Sequence, residues 1–246
     1  MPEIKKYLHC VINGKVSQNR FNNLKGMEGK VVHAISHGNL SCLVSDTACD
    51  HYPLWREHIV GHQGPIEEAM KCYDVLPFSF SNIANTEEQV KEKILKERSF
   101  EFERLFQEFG GKTEVGLKAL WPDMKSVFQE INKKSPELQR LKKNHCLTYQ
   151  QKIFAGELVG KLLKEKKEEE ARIMLEAAEG LSEDFKESQL IGENMILNAA
   201  FLIKKDQKKP FDQKIGKLEK KHKDIKFRYS GPFPLYNFVN LEIHLV

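Results

Sequence analysis

A glycine pair, Gly110-Gly111, separates two stretches of different periodicity, and no other feature restricts the fold as strongly. Before it, Val90, Ile94, Phe102, Leu105, Phe106 and Phe109 recur at helical spacing, and Thr86-Glu87-Glu88-Gln89 matches a capping box that would open the helix. Glycine stops such a helix because it accepts the left-handed backbone that other residues resist. After the pair, Thr113–Trp121 reads as a strand. The pair is therefore the expected domain boundary, giving residues 1–111 and 112–246. Each piece falls near the ~100–150 residues of an ordinary small domain.

In the first half, Ile4–Ile12 alternates partly and predicts a strand. Two β-branched runs, Lys30–Ser36 and Leu40–Ser45, flank His37-Gly38-Asn39 and predict a hairpin. Trp55–Gly61 looks helical; Gly64-Pro65 is expected to interrupt it, with a new helix from Pro65 to Cys72. Asp74–Phe80 reads as a strand at a sheet edge or end, since Pro77 cannot donate to a ladder.

In the second half, Pro122 is expected to start a helix carrying Met124, Val127, Phe128 and Ile131, and Ser135-Pro136 to cap and restart it. Thr148-x-x-Gln151 is a second capping box, opening a long helix that Gly180 ends. Ile191–Ile203 contains a strand, Pro210 opens a helix with Phe211, Ile215 and Leu218, and Asp224–Tyr229 reads as a strand. Both halves mix strands and helices without a tandem repeat, so the fold class is α+β with small sheets.

Hydrophobic residues at 40% against 30% charged allow a folded core and argue against long disorder. No stretch reaches the ~18–20 apolar residues that cross a bilayer, and Met1-Pro2-Glu3-Ile4-Lys5-Lys6 is followed by no signal-peptide core. The expectation is a cytoplasmic protein with no membrane partner. Five cysteines without a Cys-x-x-Cys pair indicate neither a disulfide framework nor a ribbon-type zinc site. Net charge is only +4, yet Lys204–Arg228 holds eleven basic residues against four acidic ones.

Catalytic chemistry finds little footing. His58 and His62 lie four apart, with Cys49 and His51 nearby, but the residue after His58 is Ile59 rather than the glutamate of a zinc-protease helix. No phosphate loop and no Gly-x-Ser-x-Gly elbow occur; Gly110-Gly111-Lys112-Thr113 leads into a strand, whereas a phosphate loop leads into a helix. No catalytic residue, metal ligand or cofactor is assigned. The basic stretch with Phe211, Phe227 and Tyr229 offers two readings: aromatics that stack on single-stranded nucleic acid, or aromatics that face the core beneath solvated lysines. The helical spacing of Phe211, Ile215 and Leu218 suits the second, so nucleic acid is not an expected partner.

The C-terminal sequence Arg228-Tyr229-Ser230-Gly231-Pro232-Phe233-Pro234-Leu235-Tyr236-Asn237-Phe238-Val239 resembles the signature of the GvpF/GvpL gas vesicle protein family, roughly Gly-Pro-Trp-Pro-Pro-Tyr-x-Phe. Phe233 stands where Trp is common, and Leu235 where a second proline is usual. Further blocks follow the family order. Tyr7-Leu8 lies in the first strand, and His62, Ile66, Glu67 and Met70 fit the helix before the next block. Val75-Leu76-Pro77-Phe78-Ser79-Phe80 is similar to Val-Leu-Pro-x-Arg-Phe-Gly, with Ser79 in place of the arginine and Ser81 in place of the glycine. Gly111-Lys112-Thr113-Glu114-Val115-Gly116-Leu117-Lys118 and Asn198-Ala199-Ala200-Phe201-Leu202 resemble two more family blocks.

The resemblance implies two domains related to the ferredoxin-like fold. It also implies a non-catalytic accessory role in building gas vesicles, the hollow protein-walled compartments that provide buoyancy. Expected partners are the small hydrophobic shell protein, GvpA, and other accessory proteins, with the chain associated with gas vesicles and possible as a minor part of them. Motif positions with structural roles would be Pro77, Phe78, Phe80, Gly111, Glu114, Asn198 and Ala199. Gly231, Pro232, Phe233, Pro234, Tyr236 and Phe238 are candidates for partner contact. Aromatic side chains held by prolines lose little rotamer freedom on docking. The same aromatics could instead pack inward and close the C-terminal core, with Gly231 turning the chain back over that domain. A basic nucleic-acid-binding protein or a zinc-dependent enzyme are the rival readings.

Overall fold

The computed structural model describes residues 4–144 and 146–243, so Met1-Pro2-Glu3 lie outside it. The chain divides into two compact units, Met1–Glu114 together with Pro232–Val246, and Val115–Gly231.

The first unit is built on β1 (Lys5–Asn13), β2 (Val32–His37), β3 (Leu40–Thr47), α1 (Arg56–Met70), β4 (Val75–Pro77) and β5 (Ile83–Ala84). The sheet order is β2-β3-β1-β4, with β5 also paired to β1. β1 runs antiparallel to β3, β4 and β5. Holding the middle of the sheet, β1 is buried from Lys6 to Ile12. The hairpin turns at Gly38-Asn39 with His37 opposite Leu40, and Gly38 takes φ +57. Pro77 closes the edge strand β4, where its missing N–H breaks no ladder.

Pro65 does not break α1. Helix α1 runs through it because His62, Pro65, Ile66 and Ala69 form one buried face whose packing outweighs the single lost backbone bond. Next come α2 (Glu87–Gln89), a π-helical stretch (Val90–Lys96) and α3 (Ser99–Phe109). Thr86 caps α2 by accepting from the Gln89 backbone N–H at 3.0 Å, while the Gln89 side chain accepts from Asn85 rather than Thr86. Gly111 then takes the left-handed conformation at φ +72.

The second unit carries most of β6 (Lys112–Leu120), then α4 (Met124–Lys134), α5 (Pro136–Lys143), α6 (Tyr149–Ala178), β7 (Asp184–Glu187), β8 (Met195–Lys204), α7 (Lys208–Lys221) and β9 (Lys226–Phe233). Its sheet order is β7-β8-β6-β9. Asp123, not Pro122, caps α4, and β7 is a fully exposed strand with no apolar pattern to announce it. Ser135 caps α5, and both halves of the Thr148/Gln151 capping box form on α6. Val115, Leu117, Ala119 and Trp121 alternate into a core completed by Met174, Ala178, Phe201, Phe211, Ile215, Leu218 and Phe227.

Two expectations about the tail need correction. Gly231 makes no turn: β9 continues through Gly231 and Pro232 to Phe233, with Gly231 at φ +116. β9 is an edge strand, which is why Pro232 fits. The sequence reading places the tail in a domain of residues 112–246, but Pro232–Val246 groups with the first unit. The cause is a set of polar ties that apolar patterning does not reveal, described next.

Candidate functional site

The tail is bound to the first unit by named hydrogen bonds. Thr113 Oγ1 donates to the Phe233 carbonyl at 2.9 Å. The Glu114 carboxylate, only 4% exposed, accepts from the Asn237 backbone N–H at 2.8 Å and from its side-chain amide at 2.5 Å. Ser79 donates from its backbone to the Leu241 carbonyl (3.0 Å) and from Oγ to Asn240 Oδ1 (2.6 Å). Asn82 Oδ1 accepts from Ile243 N at 2.7 Å. Thus Ser79, standing where the family has arginine, helps fasten the tail. Ser81, standing where the family has glycine, sits at φ +67, the region that favours glycine. Its Oγ accepts from Tyr52 N at 2.9 Å.

Within the tail, the deeply buried side chains are Pro234, Leu235, Val239 and Leu241; Phe233, Tyr236 and Phe238 are half-buried, and Gly231 and Pro232 are exposed. Leu235 and Val239 lie four apart on one turn, closed by bonds from Phe238 N and Val239 N to the Leu235 carbonyl. That i, i+4 spacing is the one sequence signal for this buried pair. Tyr236 packs on the Cys10–Ile66–Ala69 cluster, and burial raises the pKa of its hydroxyl well above the ordinary tyrosine range.

Tyr236 and Val239 form one wall of a groove of about 300 Å³ in this unit. Pro77, Phe78, Ser79 and Phe80 form another, and Leu54, Ile59, His62 and Gln63 the third. Three of the resembling blocks, far apart in sequence, therefore meet at one groove. Of the lining residues, Leu54 is 73% exposed, and Trp55 (61%) and Val60 (60%), next in sequence to Leu54 and Ile59, also present large apolar side chains to solvent. Trp55 stacks on His58 at 5.4 Å and 14°, and His58 Nδ1 is tied to the Pro53 carbonyl at 2.9 Å. Two other motif positions belong to the second unit. Asn198 and Ala199 lie in β8, where the Asn198 amide donates to the Gln189 carbonyl at 3.0 Å.

Under the groove lies a polar network that sequence reading missed. The β1–β3 register slips between Leu8 and Cys10, making His9 a bulge residue. Its Nε2 meets Ser45 Oγ at 3.0 Å and its Nδ1 meets the His62 carbonyl at 3.2 Å. His62 Nδ1 pairs with Tyr7 Oη at 3.0 Å, and Tyr7 accepts from Ser81 N at 3.0 Å. Burial lowers the His9 pKa to about 3, with the neighbouring His62 adding to the effect, and lowers His62 to about 4. Burial likewise raises the Tyr7 hydroxyl. Gly26 is required here: a Cβ on it would lie 2.7 Å from His9 Nε2 and 2.9 Å from Ser45 Oγ. Such low histidine pKa values are far from those of a general base at neutral pH. The network ties Tyr7 and His9 of β1, Ser45 of β3, His62 of α1 and Ser81 to one another, and His62 also lines the groove.

The four residues weighed for zinc take other partners. His58 and His62 are engaged as above, His51 Nδ1 faces Ser81 Oγ at 3.2 Å, and Cys49 faces Glu28. Among the described residues no group of three or more His, Cys, Asp or Glu is placed to hold a metal ion. Among them, too, no helix is long and apolar enough to cross a membrane.

Comparison with known proteins gives a consistent result. The family model described as gas vesicle synthesis protein GvpL/GvpF matches residues 5–240. Gas vesicle protein F of Nostoc sp. is 25% identical over 224 residues, covering 89% of this chain and 91% of that protein. The Streptomyces sp. protein of the same name is 28% identical, over 85% of this chain and 87% of its own length. The fold matches the crystal structure of GvpF from Anabaena sp. with a TM-score of 0.85 at 24% identity, over 97% of this chain and 99% of that one.

Proposed function

The chain belongs to the gas vesicle synthesis protein GvpL/GvpF family, and from that premise we propose that it is a non-catalytic accessory protein of gas vesicle assembly. In this reading it binds the small hydrophobic shell protein GvpA and works with other gas vesicle accessory proteins in the cytoplasm.

The observation that carries the reading is the groove bounded by Phe78, Phe80, Tyr236 and Val239, with exposed Leu54 among its lining residues and Trp55 and Val60 exposed next to lining residues in sequence. Adjacent exposed apolar side chains mark interaction surfaces. An apolar subunit awaiting assembly needs such a surface, and aromatic walls offer area at low entropic cost. Of the tail residues proposed for partner contact (Gly231, Pro232, Phe233, Pro234, Tyr236 and Phe238), Tyr236 lines this groove, together with Val239.

The nucleic-acid reading loses two of its three stacking groups, since Phe211 and Phe227 are buried, and the third, Tyr229, is half-buried against the core with its hydroxyl bonded to Asp212. Co-expression with a shell protein followed by pull-down tests the proposal. A recovered complex, together with defective vesicles on deletion of this chain, is expected. No complex and normal vesicles would refute it.

A further inference from the structure

Helices α6 and α7 treat their charges differently. On α6, basic residues are matched one turn on: Lys161 with Glu165 (3.9 Å), Lys164 with Glu168 (3.8 Å), Lys166 with Glu170 (3.4 Å) and Arg172 with Glu176 (3.5 Å). On α7 only Lys208 is so matched, with Asp212 at 2.8 Å. Lys209, Lys214, Lys217, Lys220 and Lys221 are exposed and, among the described residues, make no ion pair.

The three kinds of residue on α7 are sorted by direction. Phe211, Ile215 and Leu218 (i, i+4, i+7) point into the core. Asp212 and Glu219, seven apart, share one flank, and Lys214, Lys217 and Lys221 (i, i+3, i+7) share the other. From Lys214 to Lys221 that flank runs about 10 Å along the helix. Uncompensated like charges repel one another, and an opposite charge supplied from outside relieves that repulsion.

We infer that the lysine side of α7 is a docking surface for an acidic protein segment. A lipid surface is the poorer fit, because a helix that lies on a bilayer needs a free apolar face, and all three large apolar residues of α7 are in the core. Single-stranded nucleic acid is the poorer fit because stacking needs exposed aromatics, and Phe211 is 1% exposed. Lysines act as mobile point charges suited to carboxylates of a flexible segment, without the fixed fork by which arginine reads phosphate.

The test uses the full chain and a fluorescent peptide of about ten glutamates, with binding read by anisotropy at low salt and at about 0.3 M salt. Lys214→Glu/Lys217→Glu/Lys221→Glu is compared with Lys161→Glu/Lys164→Glu/Arg172→Glu, which changes net charge equally on α6. Thermal melts check that both variants fold, and Lys→Gln versions replace either one that does not. The inference expects the α7 variant to bind about tenfold or more weakly, the α6 variant within about twofold of the parent, and added salt to release the peptide. Equal losses in both variants, or no binding by the parent, would overturn it. So would tighter binding to an oligonucleotide of equal charge or to anionic phospholipid vesicles.

Discussion

The two units fill their interiors differently. Among the described residues the second buries one polar side chain, Ser135, beneath a sheet otherwise packed with hydrocarbon. The first buries Lys6, His9, Ser41, Ser45, Thr47, His62, Asn82, Thr113 and Glu114. Burying a polar group is unfavourable unless it is hydrogen-bonded, and a satisfied network fixes orientation more tightly than apolar contact does. The contrast teaches where position matters. The second unit needs a stable core; the first holds a bulge, a helix and a tail in one arrangement around the groove.

Acid should expose the difference most strongly. His9 and His62 titrate near 6.5 when unfolded but at about 3 and about 4 when folded. Below pH 6.5 the unfolded chain takes up protons that the folded one refuses. Their contribution is therefore complete above pH 6.5 and is lost as pH falls towards the folded values. Each histidine loses up to about 1.4 kcal/mol per pH unit. Urea unfolding at pH 7 and pH 5 checks this: His9→Gln should be weaker at pH 7 yet show a flatter pH dependence than the parent. Equal slopes would remove the histidine network from the explanation.

Phe201→Ala, in the hydrocarbon core of the second unit, should lower stability by about 3–5 kcal/mol through the cavity it leaves, with its effect unchanged between pH 7 and pH 5. Gly26→Ala forces a methyl group against His9 and Ser45 and should destabilise by about 1–3 kcal/mol, with loss of the His9–Ser45 bond seen in histidine NMR shifts. The same change at Gly156 on α6, where a Cβ meets nothing within 4 Å, should stabilise by about 0.5–1 kcal/mol. Opposite signs for one substitution, read from paired melts, would sharpen the contrast; equal signs would blunt it.

Much of this was legible in the sequence, because repetition writes helices and strands plainly. The capping box at Thr148, the serine cap at Ser135, the hairpin at Gly38-Asn39 and the inward face Phe211–Ile215–Leu218 follow from local chemistry. The break expected at Gly64-Pro65 does not occur because a proline penalty is local, whereas the burial that overrides it is tertiary. The tail was misplaced for a similar reason. Its attachment rests on Glu114 with Asn237 and on Ser79 with Asn240 and Leu241, pairs separated by more than a hundred residues that leave no periodic trace. The His9 bulge is equally silent, since β1 is buried without interruption from Lys6 to Ile12 and a slipped register there exposes no side chain.

The proposed docking of the shell protein in the groove of the first unit is open to direct test. Leu54→Ser/Trp55→Ser/Val60→Ser removes the exposed apolar rim while leaving the buried network intact. The account predicts unfolding within about 1 kcal/mol of the parent and shell-protein capture in pull-down reduced about tenfold or more. Undiminished capture by a folded variant would contradict it.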